Sequence, residues 1–287
     1  MGYDKVDGMV RFGREVQHGT DMQMRRRPLC GFLWFLCMTP HALSVVVGGE
    51  LVHTNGPAHP PPEDAVTYVD TNGVTHVYLV QEPLARPIPP DAPILIYMHG
   101  AGGKEEQGMR TLFPGLRALL NTRGWIYVCP RDEEYTGLRR DLAKRYGKRT
   151  LYLAGASAGG RSVFWEALRE PALYSGLILM CPAVVRETIP VAVKSDAHVL
   201  PMPLWMICGE RDMYYAATCR FLQSVMKDRR QAVYYHEIPG GNHDDPCRMI
   251  RWADALRFIS ENSRMNAGAV QGAGTSTKPD EQSDHPR

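Results

Sequence analysis

The stretch Thr150-Leu-Tyr-Leu-Ala-Gly-Ala-Ser-Ala-Gly-Gly160 constrains the fold more than any other part of this chain. A short, apolar, β-forming run gives way to Gly-x-Ser-x-Gly, and residues 161–168 then carry helical spacing. A backbone that reverses from strand to helix within so few residues needs small side chains at the crossing. Gly155 and Gly159 supply the room, which leaves Ser157 at the apex, strained and with its hydroxyl exposed. An ordinary glycine-rich turn has the same pattern. The meaning of Ser157 therefore rests on what the rest of the chain brings to it.

Around this stretch, apolar runs alternate with helical spacings. Residues 94–98, 125–129, 150–154, 177–181, 204–208 and 232–238 read as strands, and 109–120, 135–146, 161–168, 214–226 and 246–259 as helices. Two further β-rich runs, 65–70 and 74–80, flank Thr71-Asn72-Gly73, a strong hairpin signal. The alternation predicts an α/β fold: a mostly parallel eight-stranded sheet with helices on both faces and an N-terminal antiparallel hairpin. In such a sheet the site belongs in the loops at the carboxyl ends of the strands.

The ends of the chain read differently. Arg25-Arg26-Arg27 precedes about ten apolar residues, Leu29 to Met38, which is the pattern of a secretory signal and too short to span a bilayer. The reading is export: residues 24–45 a signal peptide, the protein secreted or periplasmic, and no stable membrane span after cleavage. A buried first helix or an amphipathic anchor is the alternative. Residues 1–23 have no use in front of such a signal and read as a gene-model extension or a disordered tail, with the true start at Met22 or Met24. Proline-rich 46–64 reads as a linker, 65–262 as the folded domain, and Gly/Ser/Thr-rich 263–287 as a disordered tail. A formal charge of +2, with scattered charges, gives no reason to expect a nucleic-acid partner.

Seven cysteines include Cys30 and Cys37 in the apolar run. Cys129, Cys181 and Cys208 end apolar runs and read as small buried hydrophobes. Cys219 with Cys247 is the one pairing considered for a disulfide. No cysteine spacing resembles a zinc site, and no cofactor is implied.

Three loops after predicted strands supply what an activated serine needs. His99-Gly-Ala-Gly-Gly103 lets backbone approach a reacting carbonyl, with oxyanion donors from the N–H of Ala158 and from Ala101 or Gly102. His99 itself reads as orienting that loop. Gly209-Glu-Arg-Asp212 offers a carboxylate to hold an imidazole, Asp212 in preference to Glu210. Gly240-Gly-Asn-His243 offers the base, since His236 lies inside a strand. A metal reading of His243-Asp244-Asp245 lacks a second histidine at ligand spacing. The chain order is oxyanion loop, Ser, Asp, His, each after a successive strand, which is the α/β-hydrolase order.

Over residues 94–259 the chain resembles the α/β-hydrolases. Within that superfamily it resembles the secreted esterases grouped with polyhydroxybutyrate depolymerases and feruloyl esterases. The likeness is carried by His99-Gly-Ala-Gly-Gly103, the segment from Tyr146 to Gly160, Cys208-Gly-Glu-Arg-Asp212, and Gly240-Gly-Asn-His243. It implies Ser157 as nucleophile, His243 as general base and Asp212 as its orienter, hydrolysing a small-molecule ester through an acyl-enzyme. The chain departs from that group in a short link before the elbow strand and in lacking an aromatic-rich appended surface, which argues against polymer substrates. Specificity is expected from 183–201 as a lid, from 130–135, and from Met213, Tyr214 and Tyr215 as substrate contacts, around an open site for short acyl groups. A prolyl-oligopeptidase-like peptidase and a non-catalytic binding module on the same fold are the alternatives.

Overall fold

The computed structural model describes residues 45–47, 50–52, 60–189 and 200–272. The chain divides into two compact units, residues 1–59 and 60–287. In the first, β1 (Val45–Val47) and β2 (Glu50–Val52) form an antiparallel pair that begins at the last residue of the expected signal segment and runs into the expected linker. The rest of the expected signal segment and residues 1–23 lie outside the described residues.

The second unit is built on β3 (Val66–Val69), β4 (Thr75–Gln81), β5 (Ile94–Met98), β6 (Ile126–Pro130), β7 (Leu151–Ala156), β8 (Tyr174–Met180), β9 (Leu204–Gly209) and β10 (Val233–Ile238). They form one eight-stranded sheet in the order β10-β9-β8-β7-β5-β6-β4-β3. The β3–β4 and β4–β6 pairings are antiparallel and the others parallel. The hairpin turn closes as its sequence demands: Asp70 Oδ1 accepts from the N–H of Asn72 and of Val74, both at 2.8 Å, and Gly73 takes φ +80°. Every residue of β5, β6 and β9 is buried, on both sides of the pleat, so helices cover both faces of the sheet. These are α1 (Leu116–Thr122), α2 (Tyr135–Tyr146), α3 (Ala158–Arg169), α4 (Met213–Asp228), α5 (Asp245–Met249) and α6 (Trp252–Gly272).

Three expected elements differ. The helix expected over 109–120 is two pieces, a π-turn at Gln107–Thr111 and then α1. Pro114 has no N–H to donate and its ring excludes a helical predecessor, so the helix cannot pass through it. The closing helix, expected over 246–259, breaks where Ile250 turns to φ −58°, ψ 127°. The break lets Trp252 reach the core, edge-on to Phe113 at 4.9 Å. Beyond it, α6 runs to Gly272, ten residues into the expected tail. Ser263-Arg-Met-Asn-Ala contains good helix formers, and extending an existing helix costs far less than starting one.

Candidate active site

Ser157 sits between β7 and α3 at φ 52°, ψ −118°, a left-handed backbone that strains any residue with a side chain. Hydrogen bonds hold it there: its N–H donates to Met180 O at 2.9 Å, and its carbonyl accepts from Arg161 at 3.0 Å and Ala183 at 2.8 Å. The flanking glycines are required by contact. A Cβ on Gly155 would lie 2.5 Å from Gly159 O, and one on Gly159 would lie 2.2 Å from His99 O. The elbow is thus packed backbone to backbone against the end of β5.

The loops after β9 and β10 converge on the serine. His243 Nε2 lies 3.0 Å from Ser157 Oγ, and His243 Nδ1 lies 2.5 Å from Asp212 Oδ2. With the Nδ1 proton donated to the carboxylate, Nε2 is left to accept from the hydroxyl. The Asp212 side chain is 13% exposed and that of His243 39%, so the imidazole opens toward solvent while its partner is shielded. Glu210, the rival carboxylate, instead accepts from the N–H of Gly240 at 2.7 Å, tying the β9 loop to the histidine loop. Gly209 allows that approach, since a Cβ there would lie 2.3 Å from Asn242 O.

The loop after β5 lies alongside. A Cβ on Gly100 would be 3.5 Å from Ser157 Cβ. Gly100 to Gly103 form a turn closed by Gly103 N–H to Gly100 O at 3.0 Å, with Gly102 at φ +71°. Ala101 and Gly102 are exposed, and their N–H groups take no acceptor among the described residues. Ala158 is the first residue of α3, so its N–H has no intrahelical acceptor either. His99 lies between two carbonyls, with Nδ1 2.8 Å from Gly100 O and Nε2 2.9 Å from Arg131 O, and a neutral imidazole donates to one of them.

The three expected substrate contacts separate. The Tyr215 ring lies 5.5 Å from the His243 ring, tilted against it. Met213 and Tyr214 face solvent, 76% and 54% exposed, and the Tyr214 hydroxyl reaches Glu187 at 3.4 Å. Of the expected lid, 183–189 and 200–201 are described, and 190–199 lies outside the described residues. A cavity of about 700 Å³ opens between the π-turn region and α5, lined by Phe113, Leu116, Ile250 and Trp252 among others; Ser157, Asp212 and His243 are not part of it.

The Cys219–Cys247 disulfide does not form: the five cysteines from Cys129 to Cys247 are all free thiols. Cys219 instead lies beside Cys208, and Cys247 beside Cys181. Two of these thiols touch the site. Cys181 Sγ donates to His243 O at 3.1 Å, and Cys208 Sγ lies 3.9 Å from Asp212 Oδ2. Cys181, Asp212 and His243 place a thiol, a carboxylate and an imidazole within 4.8 Å of one another. Both imidazole nitrogens and the thiol are already engaged, so a cation there would have to break the contacts that align Ser157.

Sequence reasoning missed Cys181, which adopts φ 38°, and the pair Glu105–Arg131, whose Arg131 Nε donates to Glu105 Oε2 at 2.9 Å beneath the His99 loop. Nothing local marks either: a cysteine ending a strand and charged residues in loops ordinarily read as filler and solvated surface.

No protein-family model and no curated protein sequence matches the chain. Solved structures do. A thermostable esterase superposes with a TM-score of 0.55 at 17% identity, over 69% of this chain and 62% of that one. This chain thus spans less than two thirds of that structure. Est1E from Butyrivibrio proteoclasticus superposes at 0.51 and 17% identity, over 72% of this chain and 100% of its own. The CE1 ferulic acid esterase AmCE1/Fae1A from Anaeromyces mucronatus superposes at 0.54 and 15% identity, over 72% and 92%. At these identities the likeness establishes the α/β-hydrolase fold.

Proposed function

We propose that this chain is a serine hydrolase that cleaves carboxylic esters by two-step acyl transfer. One observation carries the reading: Ser157 Oγ, His243 Nε2, His243 Nδ1 and Asp212 Oδ2 form a continuous line, with contacts of 3.0 and 2.5 Å, at a residue held at φ 52°. Folding alone requires neither the line nor the strain. The similar structures reported above are esterases by name, which supports the same chemistry.

In the first step Ser157 Oγ attacks the ester carbonyl carbon while His243 Nε2 takes its proton. Asp212 keeps the Nδ1 proton in place and stabilises the imidazolium. The carbonyl oxygen becomes an oxyanion facing the N–H groups of Ala158 and of Ala101 or Gly102. Collapse expels the alcohol, protonated by His243, and leaves Ser157 acylated. Water deprotonated by His243 then attacks the acyl carbon, and loss of Ser157 Oγ with return of the proton releases the acid. The half-exposed imidazole and the solvent-facing Met213 and Tyr214 favour small, short-acyl esters in an open site, with Tyr215 beside the base as the nearest candidate to contact them.

Labelling by a fluorophosphonate probe, compared between wild type and Ser157→Ala, tests this reading. Label lost in the variant supports it. Well-folded wild type that takes no label would return the chain to the binding-module alternative. A p-nitrophenyl ester series then ranks acyl length, and a preference for long chains would overturn the open-site part. Export is proposed on the basic triplet and apolar run alone. A native N-terminus upstream of Leu29 would refute it.

A further inference from the structure

Glu105 has no solvent exposure, yet it carries a charge. Arg131 grips it with a two-point fork, Nε to Oε2 at 2.9 Å and Nη2 to Oε1 at 2.5 Å. Burial pushes the Glu105 carboxyl up, but the Arg131 hydrogen bonds and charge outweigh it, and the carboxyl ends below its usual range. The pair is ionised throughout the neutral range.

An ion pair with one member fully buried is a poor device for stability, because desolvating the buried charge offsets much of the attraction. Apolar residues of similar volume commonly do as well or better. What a bidentate fork supplies is fixed geometry. Here that geometry is applied at one place. Arg131 is the first residue past β6, and its carbonyl oxygen meets His99 Nε2 at 2.9 Å. The loop from His99 to Glu105 is therefore tied at its first residue to the Arg131 backbone and at its last to the Arg131 side chain. Between those ties stand Ala101 and Gly102, whose N–H groups have no acceptor among the described residues. Donors stabilise an oxyanion only if they are aimed before charge develops.

The geometry points to Glu105 and Arg131 as positioning residues that clamp both ends of the candidate oxyanion loop and aim the Ala101 and Gly102 N–H groups at the carbonyl oxygen above Ser157. The inference rests on the reading of Ser157 as nucleophile. It predicts a separation that a merely structural pair would not show: loss of the clamp lowers turnover while fold and substrate affinity survive.

The test is the double variant Glu105→Leu with Arg131→Met, which removes both charges together, in the full chain. Its melting temperature should hold. Its kcat should fall about 10- to 100-fold, the cost of loosening aligned groups by up to an ångström, with KM within about threefold of wild type. Backbone ¹⁵N order parameters at Ala101, Gly102 and Gly103 should drop from about 0.85 to below about 0.6. If the double variant fails to fold, Arg131→Lys, which keeps the charge but not the fork, decides in the same way. Unchanged kcat in a folded variant, or unchanged order parameters in the loop, overturns the clamp. The order parameters need no turnover, so wild type that fails to take a fluorophosphonate would sink the Ser157 reading while still leaving the clamp decided.

Discussion

Replacing Gly159 by alanine sets two effects of opposite sign against each other. Gly159 lies inside the first turn of α3, and by helix propensity alone alanine would stabilise the chain by about 1 kcal/mol. The structure opposes this. The added methyl would lie 2.2 Å from His99 O and 2.3 Å from Met98 O, both backbone atoms that no side-chain rotation can clear. Ordinary contact begins at 3.4 Å, so the elbow and the end of β5 must part by about 1.2 Å. Forcing backbones apart in a packed core costs typically about 1–3 kcal/mol, which matches or exceeds the propensity gain.

That displacement falls between the elbow that presents Ser157 and the strand that leads into the donor loop. A misplacement of about an ångström at a reacting centre costs on the order of 100-fold in rate. Gly159→Ala is therefore expected to be less stable than wild type by up to about 2 kcal/mol in urea unfolding. Its kcat/KM toward a short p-nitrophenyl ester should be lower by about 100-fold. A variant that gains stability and keeps its rate within about threefold would refute the close packing of these two segments, and with it the account of why the elbow needs glycine.

Three further outcomes follow from other contacts. Asp212→Asn should lower kcat by about 10⁴-fold, as loss of the imidazole's orienting carboxylate does, while Glu210→Gln, which removes only the charge facing the Gly240 N–H, should stay within about tenfold; a larger loss for Glu210→Gln in steady-state assays would reverse the assignment. Of the five thiols from Cys129 to Cys247, only Cys247 is not fully buried, and burial pushes the Cys129 thiol up to about 12. Peptide mapping after alkylation of the native protein should accordingly find Cys247 modified and the other four only after unfolding. Burial pulls the His76 imidazole down, but Asp132 at 2.9 Å and Asp70 at 3.4 Å, with Glu134 behind, win and its net shift is upward. A raised folded value means its stabilisation is complete below the ordinary histidine range near 6.5 and disappears as pH rises through the folded value. The stability difference between wild type and His76→Gln should shrink over that rise, and a difference that grows would contradict the ion-pair account.

The parts of the site legible in the sequence are those that make demands on the backbone. Gly155, Gly159, Gly209 and Gly102 stand where a methyl would strike main chain or where φ is positive, and these demands permit almost no other residue. Glycines so placed after apolar runs announce the loops, and the loops announce Ser157, Asp212 and His243. The strand sequence was equally legible from its apolar runs. Its spatial order was not, because the placement of β6 between β4 and β5 is decided by crossovers that leave no local trace. Side-chain pairings failed for the same reason. Glu105 and Arg131 are 26 residues apart, and nothing near either distinguishes it from a solvated charge. The thiols were mispaired for a related one, since Cys219 lies against Cys208 and Cys247 against Cys181, neighbours set by the packing of α4 and α5 on the sheet. Local steric necessity is written at one position and can be read there, whereas a contact between distant side chains is a property of two positions and of the fold between them. For this chain the groups proposed to react fall in the first class, and the residues inferred to aim the oxyanion donors fall in the second.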